Sequence, residues 1–257
     1  MQLQRSAADL KRRGLGLAAI SYDSVETLKA FSQARGITFP LLSDPGSAII
    51  RRYDILNAQA TGRTAGIPHP GTFVIDAQAR VVSRSFETAY QERASAASII
   101  AGGLGAPAST RVDTAHLVVT AGISDDVVTP GTRFTLTVDV APKARMHVYA
   151  PDQTTYIPVA IALAPDDMLR PHPPVFPASE TYLFTPLNEQ QRVYSRPFRI
   201  VQPVTIPVTP ATRERARSGG PLTITGTLHY QACDDKVCYR PADVPLAWTI
   251  KLEPLAR

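Results

Sequence analysis

Cys233 and Cys238 are the only cysteines of this chain, and Asp234-Asp235-Lys236-Val237 lie between them. Two thiols this close could exchange disulfides, form an inert staple, or ligate a metal. Leu222-Thr223-Ile224-Thr225-Gly226-Thr227-Leu228-His229-Tyr230 leads in, with apolar and polar residues alternating among β-formers. That pattern predicts a strand running into the first cysteine. The four residues between then read as a hairpin loop, and Val244-Pro245-Leu246-Ala247-Trp248-Thr249-Ile250 as a later strand. Such a loop would set the two cysteines opposite one another at a spacing a disulfide bridges. The ring closed is small, so the chain-entropy model gives it only roughly 2 kcal/mol. A pair that adds so little stability suits chemistry better than stapling.

Metal ligation is the weaker chemistry. His229 and Cys233 share a strand face but stand about 13 Å apart along it. Two cysteines and a distant histidine fall short of a four-ligand zinc site, so no metal and no cofactor are expected. For exchange, one sulfur must be accessible as a thiolate. Lys236 would help to form it, and Asp234 and Asp235 would oppose it. No Ser/His/Asp spacing, phosphate loop or glycosidase-like carboxylate pair stands out, and His69 reads as a loop residue.

The elements that must position this pair follow from a chain of 257 residues, long enough for one or two domains. Hydrophobic content of 44% and charged content of 19% are ordinary for a globular protein. A net charge of +5, without a dense basic block interleaved with aromatics, argues against nucleic-acid binding. No apolar run approaches the roughly 18 residues of a transmembrane segment. Met1-Gln2-Leu3-Gln4-Arg5 does not open a signal peptide, which by itself favours the cytoplasm, where stable disulfides are rare.

Two periodicities divide the chain. Leu3, Ala7 and Leu10 mark a first helix, which Gly14 or Gly16 would end. Leu17 to Ser21 reads as a strand, and Asp23-Ser24-Val25-Glu26 opens a helix with capping-box spacing. Phe39 to Asp44, Thr72 to Asp76 and Arg80 to Phe86 are extended, and a last helix is expected over about 92–102. This order predicts an α/β half on a central sheet. Gly102 to Ser109 has linker composition. Beyond it the period becomes two: 116–120, 133–140, 146–149, 157–163 and 198–201 read as strands, predicting an all-β sandwich.

Gly16 to Ser24, Phe39 to Asp44 and Gly66-Ile67-Pro68-His69-Pro70-Gly71-Thr72-Phe73-Val74-Ile75-Asp76 resemble the thioredoxin-fold redoxins of the AhpC/TSA and TlpA type. The resemblance implies that Pro70 is the family's cis-proline. The family's redox cysteines precede its first long helix, and this chain has none there. Two explanations stay open: a chain start placed too late, or a degenerate scaffold. Tyr230-Gln231-Ala232-Cys233-Asp234-Asp235-Lys236-Val237-Cys238-Tyr239, with Met146 to Tyr149 and Val193 to Phe198, resembles the N-terminal immunoglobulin-like domain of the interchange protein DsbD. That resemblance implies a redox-active Cys233/Cys238 pair, with His147 and Tyr149 flanking it and Phe184 as the aromatic of a shielding cap. The loop looks one residue shorter than in that family, and Arg240 stands where a second proline is common.

The expectation is therefore a truncated α/β thioredoxin-like fold over 1–105, a linker over 106–111, and an immunoglobulin-like sandwich over 112–257. The expected activity of this bacterial redoxin is disulfide exchange with a thiol/disulfide partner protein. The alternative is a non-catalytic interaction module with a structural disulfide. The compartment would be the periplasm if a leader lies upstream, and otherwise the cytoplasm.

Overall fold

The structure is a computed structural model that describes residues 2–12, 14–86, 93–95, 97–98, 108–184 and 188–254. The chain divides into two compact units, residues 1–96 and 97–255.

The first unit alternates helix and strand. It runs α1 (Gln2–Arg12), β1 (Ala19–Ser21), α2 (Val25–Arg35), β2 (Leu41–Ser43), α3 (Ala48–Arg52), β3 (Gly71–Ile75), β4 (Val81–Phe86) and the short β5 (Arg93–Ala94). Gly14, at φ +77°, follows α1 and closes back on Lys11. The cap of α2 is Ser24 rather than Asp23: its hydroxyl accepts the Thr27 amide, and Gly36 ends the helix in the left-handed region. The buried Asp44 carboxylate accepts the amides of Ala48, Ile49 and Ile50 and so anchors α3. Tyr53, Phe73 and Phe86 form a chain of ring contacts at 5.4 and 5.1 Å.

The expected central sheet is instead two ribbons among the described residues: β1 with β2, parallel, and β3 with β4, antiparallel. With three residues each, β1 and β2 offer short ladders and half-buried side chains. The His69–Pro70 bond is trans, correcting the cis expectation. Trans is the intrinsic preference of an X-Pro bond, and nothing in the local sequence opposes it. Of the helix expected over 92–102, residues 93–94 are strand, Ser95 is neither helix nor strand, 97–98 are helical and the remainder lie outside the described residues.

Beyond the helical residues 97–98, the described residues of the second unit form strands and one helix. They are β6 (Ala108–Asp113), β7 (Leu117–Ile123), β8 (Val127–Val128), β9 (Thr132–Pro142), β10 (His147–Tyr149), β11 (Ala160–Leu163), β12 (Arg170–Pro171), β13 (Glu180–Phe184), β14 (Glu189–Tyr194), β15 (Phe198–Thr205), α4 (Pro210–Ser218), β16 (Pro221–Tyr230), β17 (Ala232–Cys233) and β18 (Ala242–Leu252). One sheet runs β12-β15-β9-β7-β6 and a second runs β11-β16-β18-β8. Alternation along β18 buries Val244, Leu246, Trp248, Ile250 and Leu252, while β9 contributes Phe134, Leu136, Val138 and Val140 to the same apolar cluster. Facing sheets of this kind bury alternate residues between them. Gly226 is required where β11 crosses: a Cβ there would stand 2.7 Å from the Ala162 carbonyl oxygen.

Residues 108–111, expected as linker, belong to β6 and pair with β7, because Val112 faces the core and carries the strand with it. A third sheet, β13-β14-β10-β17, holds Cys233, and Cys238 is bridged to it from the turn beyond.

Candidate functional site

Three short elements build the site. In β10 the side chains of His147 and Tyr149, two residues apart, share one face. Antiparallel β17 sets Cys233 directly opposite His147. Beyond Cys233 the chain turns and returns with Cys238 bridged antiparallel to it, and the two sulfurs are joined as a disulfide. On the far side of the sheet β13 pairs with β14, placing Tyr182 opposite Gln191 and Phe184 opposite Glu189.

Asp234 makes the turn. Its Oδ1 accepts the amides of Lys236 and Val237, each at 2.8 Å, and its Oδ2 accepts the Tyr239 hydroxyl at 2.9 Å. The Val237 and Lys236 amides hold the Asp234 carboxyl below its usual range. The same bond to Asp234 pushes the Tyr239 phenol up. An aspartate expected to disfavour a neighbouring thiolate thus spends its charge on backbone amides.

The two sulfurs differ. Cys233 is 1% exposed, whereas Cys238 lies on the exposed side of the hairpin. The Tyr149 hydroxyl is 3.4 Å from Cys233 Sγ and 3.3 Å from Cys238 Sγ. Disulfide sulfur carries no hydrogen, so the phenol is the donor. Burial, then the neighbouring Tyr156, Glu189 and Tyr182, push the Tyr149 phenol up to about 12. It therefore remains a donor throughout the neutral range. Tyr156 stacks on Tyr149 at 4.4 Å and donates to Glu189 at 2.9 Å. The His147 ring contacts Tyr149 at 5.6 Å and Tyr182 at 4.8 Å.

A shallow cleft lined by His147, Tyr149, Tyr156, Phe184, Cys233 and Cys238 opens onto the disulfide. The structure thus brings together Cys233, Cys238, His147, Tyr149 and Phe184. Pro70 lies in the other unit, before β3. His229 does not face the cysteines as a ligand; its Nδ1 lies 2.6 Å from Asp243 Oδ1 at the surface, across the β16–β18 pair. Sequence reasoning missed Tyr156, Tyr182 and the turn-forming role of Asp234. Tyr182 was within reach, since it stands two residues from Phe184 on one strand face. Tyr156 sits in an irregular connection without periodicity.

Residues 1–84 match the AhpC/TSA family. Two curated proteins of Mycobacterium tuberculosis, from strains CDC 1551 and H37Rv and both named as peroxiredoxins, are 36% identical over 75 residues. That is 29% of this chain and 48% of theirs, so the chain spans about half the length of the curated relatives it matches. Among solved structures, the N-terminal periplasmic domain of ScsB from Proteus mirabilis aligns with a TM-score of 0.36 and 12% identity, over 58% of this chain and 50% of that one. The reduced N-terminal domain of Neisseria meningitidis DsbD aligns with a TM-score of 0.31 and 19% identity, over 45% and 80%. Both scores lie below the level at which two chains share a fold throughout. The first unit holds an AhpC/TSA redoxin segment, residues 1–84.

Proposed function

We propose that the chain exchanges disulfides with a partner protein through Cys233 and Cys238, and that the second unit alone carries this chemistry. The carrying observation is the asymmetry of the pair: an exposed Cys238 bonded to a buried Cys233, with one phenol donating between them. A partner thiolate attacks Cys238 Sγ and forms a mixed disulfide, and the electron pair of the broken bond leaves on Cys233. The hydroxyl of Tyr149 stabilises that departing thiolate by a charge-assisted hydrogen bond. The partner's second thiol then attacks its own sulfur in the mixed disulfide and releases Cys238. The partner is oxidised to a disulfide and this pair is reduced to a dithiol; the reverse sequence oxidises it.

The sandwich is read as immunoglobulin-like and of DsbD type, on the resemblance of residues 230–239. Its first described strand, β6, starts at Ala108, after the redoxin domain. No cysteine lies in the first 232 residues, so the redoxin unit supplies no thiol of its own from this sequence. Phe184 covers the cleft as its aromatic wall. Exchange of this kind fits the periplasm, where disulfides persist.

The test is trapping. Cys233→Ser leaves the accessible thiol, which attacks the disulfide of an oxidised partner and accumulates a mixed disulfide as one partner sulfur leaves, whereas Cys238→Ser leaves only the buried thiol and accumulates none. Equal trapping by both variants, or by neither, overturns the reading in favour of a structural staple. A reduction potential above about −250 mV agrees with exchange, and one below about −300 mV with a staple.

A further inference from the structure

We propose that His147 is the acid–base group of the buried Cys233, taking its proton when that thiol attacks a mixed disulfide on Cys238 and returning it in the reverse step. The inference rests on disulfide exchange as the function of the pair. Three observations carry it. First, His147 and Cys233 are directly opposed residues of an antiparallel pair, so their side chains project from the same sheet face at adjacent positions. Second, His147 is 5% exposed and lines the cleft with both cysteines, yet its buried Nε2 has no hydrogen-bond partner among the described residues. A buried imidazole nitrogen left unpaired is costly. Oxidised sulfur offers it no proton; a reduced Cys233 does.

Third, the other groups around the site are unsuited to the task. Tyr149 donates a hydrogen bond but holds its proton too firmly to release it near neutrality. The Asp234 carboxylate is occupied by two amides and the Tyr239 hydroxyl. Tyr156 gives its hydroxyl to Glu189. Lys236 is exposed on the loop, a cation rather than a base. The rings packed on His147 are those of Tyr149 and Tyr182, and the charge acting on it is Asp234. Burial lowers the His147 imidazole below its usual range, and the attraction of Asp234 opposes that only in part. The ring is therefore neutral, a proton acceptor, at neutral pH.

The step balances. With Cys238 joined to a partner sulfur, the Cys233 thiol gives its proton to His147 and its thiolate attacks Cys238 Sγ. The bond from Cys238 to the partner breaks, and the partner sulfur leaves as a thiolate that recovers the proton through the cleft. A base so placed removes the need to form a fully buried thiolate before attack.

Reduced full-length protein mixed with glutathione disulfide tests this, with acid quench and mass spectrometry resolving the glutathionyl adduct at Cys238 from the final internal disulfide. In the wild type the resolving rate is expected to be nearly flat from about pH 7 to 8.5, because neutral His147 accepts the proton. In His147→Gln and His147→Asn, resolution slows by about a hundredfold at pH 7 and rises tenfold per pH unit, tracking ionisation of the thiol. Adduct formation at Cys238 is followed in the same samples, so loss of the resolving step is read as adduct that accumulates against the internal disulfide. A wild-type resolving rate that itself rises tenfold per pH unit overturns the proposal without recourse to any variant. So does resolution in a folded variant with the wild-type rate and slope, and in that case the exchange reading stands. If the wild type forms neither adduct nor internal disulfide, the exchange reading fails and this inference with it.

Discussion

The first unit carries the family match and no thiol, while the second carries the thiol pair on a far more deeply buried framework. In the first, Leu10, Leu28 and Ile50 are the large apolar side chains buried among the described residues, and polar caps such as Ser24 and Asp44 fix the helices. In the second, two sheets close on Trp248, Phe134 and their neighbours, and a small third sheet holds a polar, aromatic site. The difference teaches that kinship and chemistry need not lie in the same part of a chain. The family match covers residues 1–84, and the disulfide of Cys233 and Cys238 lies some 150 residues further on.

Substitutions in each unit can break this contrast. Trp248→Ala should have the largest effect, because Trp248 is fully buried against Ile224 and Gly226 of the neighbouring strand. Loss of the indole costs about 3–5 kcal/mol. Chemical denaturation followed by a probe in the second unit should show this loss, and a probe in the first should not. A shift of equal size in both would mean that the units unfold as one body. Asp44→Ala is the counterpart: three amides lose their acceptor, one of them on the fully buried Ile50, for about 2 kcal/mol. Its effect should be confined to the first unit and leave exchange at Cys238 untouched.

The two units were also unequally legible. Strands β9, β16 and β18 were plain in the sequence because their long alternating patterns match a half-buried pleat. The convergence of His147, Tyr149 and Phe184 on the cysteines came from resemblance, since no spacing relates residues so far apart. Helix α4 went unread, although Thr209-Pro210-Ala211-Thr212 supplies an N-cap, a proline at the first turn and a reciprocal capping box. The arginine-rich stretch after it shows little apolar periodicity to draw attention to it. The split of the expected central sheet was illegible for another reason. Strands of three residues carry too little pattern to specify their partners.

Within the site, Tyr149→Phe sharpens the contrast between a chemical and a structural disulfide. It keeps the stacked ring and removes only the donor to both sulfurs. A hydrogen bond to a developing thiolate is worth about 1.5 kcal/mol, so reduction by a dithiol should slow by roughly tenfold. Unfolding of the oxidised protein should change little, because a phenol facing neutral sulfur contributes less. An unchanged reduction rate would remove Tyr149 from the mechanism.

The smallest expected effect is that of pH on the hairpin. Asp234 is held below its usual range by the Val237 and Lys236 amides. Its folded pKa is thus depressed relative to the unfolded chain, and the stabilisation it gives is fully present above the ordinary aspartate range. That stabilisation is lost only as pH falls through the depressed folded value. Amide exchange at Lys236 and Val237 reports it directly. Corrected for intrinsic rates, their protection should hold level from neutrality down to about pH 4 and weaken below that. Asp234→Asn should remove the step, since an amide oxygen still accepts both N–H groups but does not titrate. Protection lost already between pH 5 and 6 would show that the carboxylate is not the group that pins the turn. The loop between the cysteines would then be held by its disulfide and by the backbone bonds from Asp234 to Val237 and from Tyr239 to Ala232, and reduction would loosen the hairpin as well as part the sulfurs.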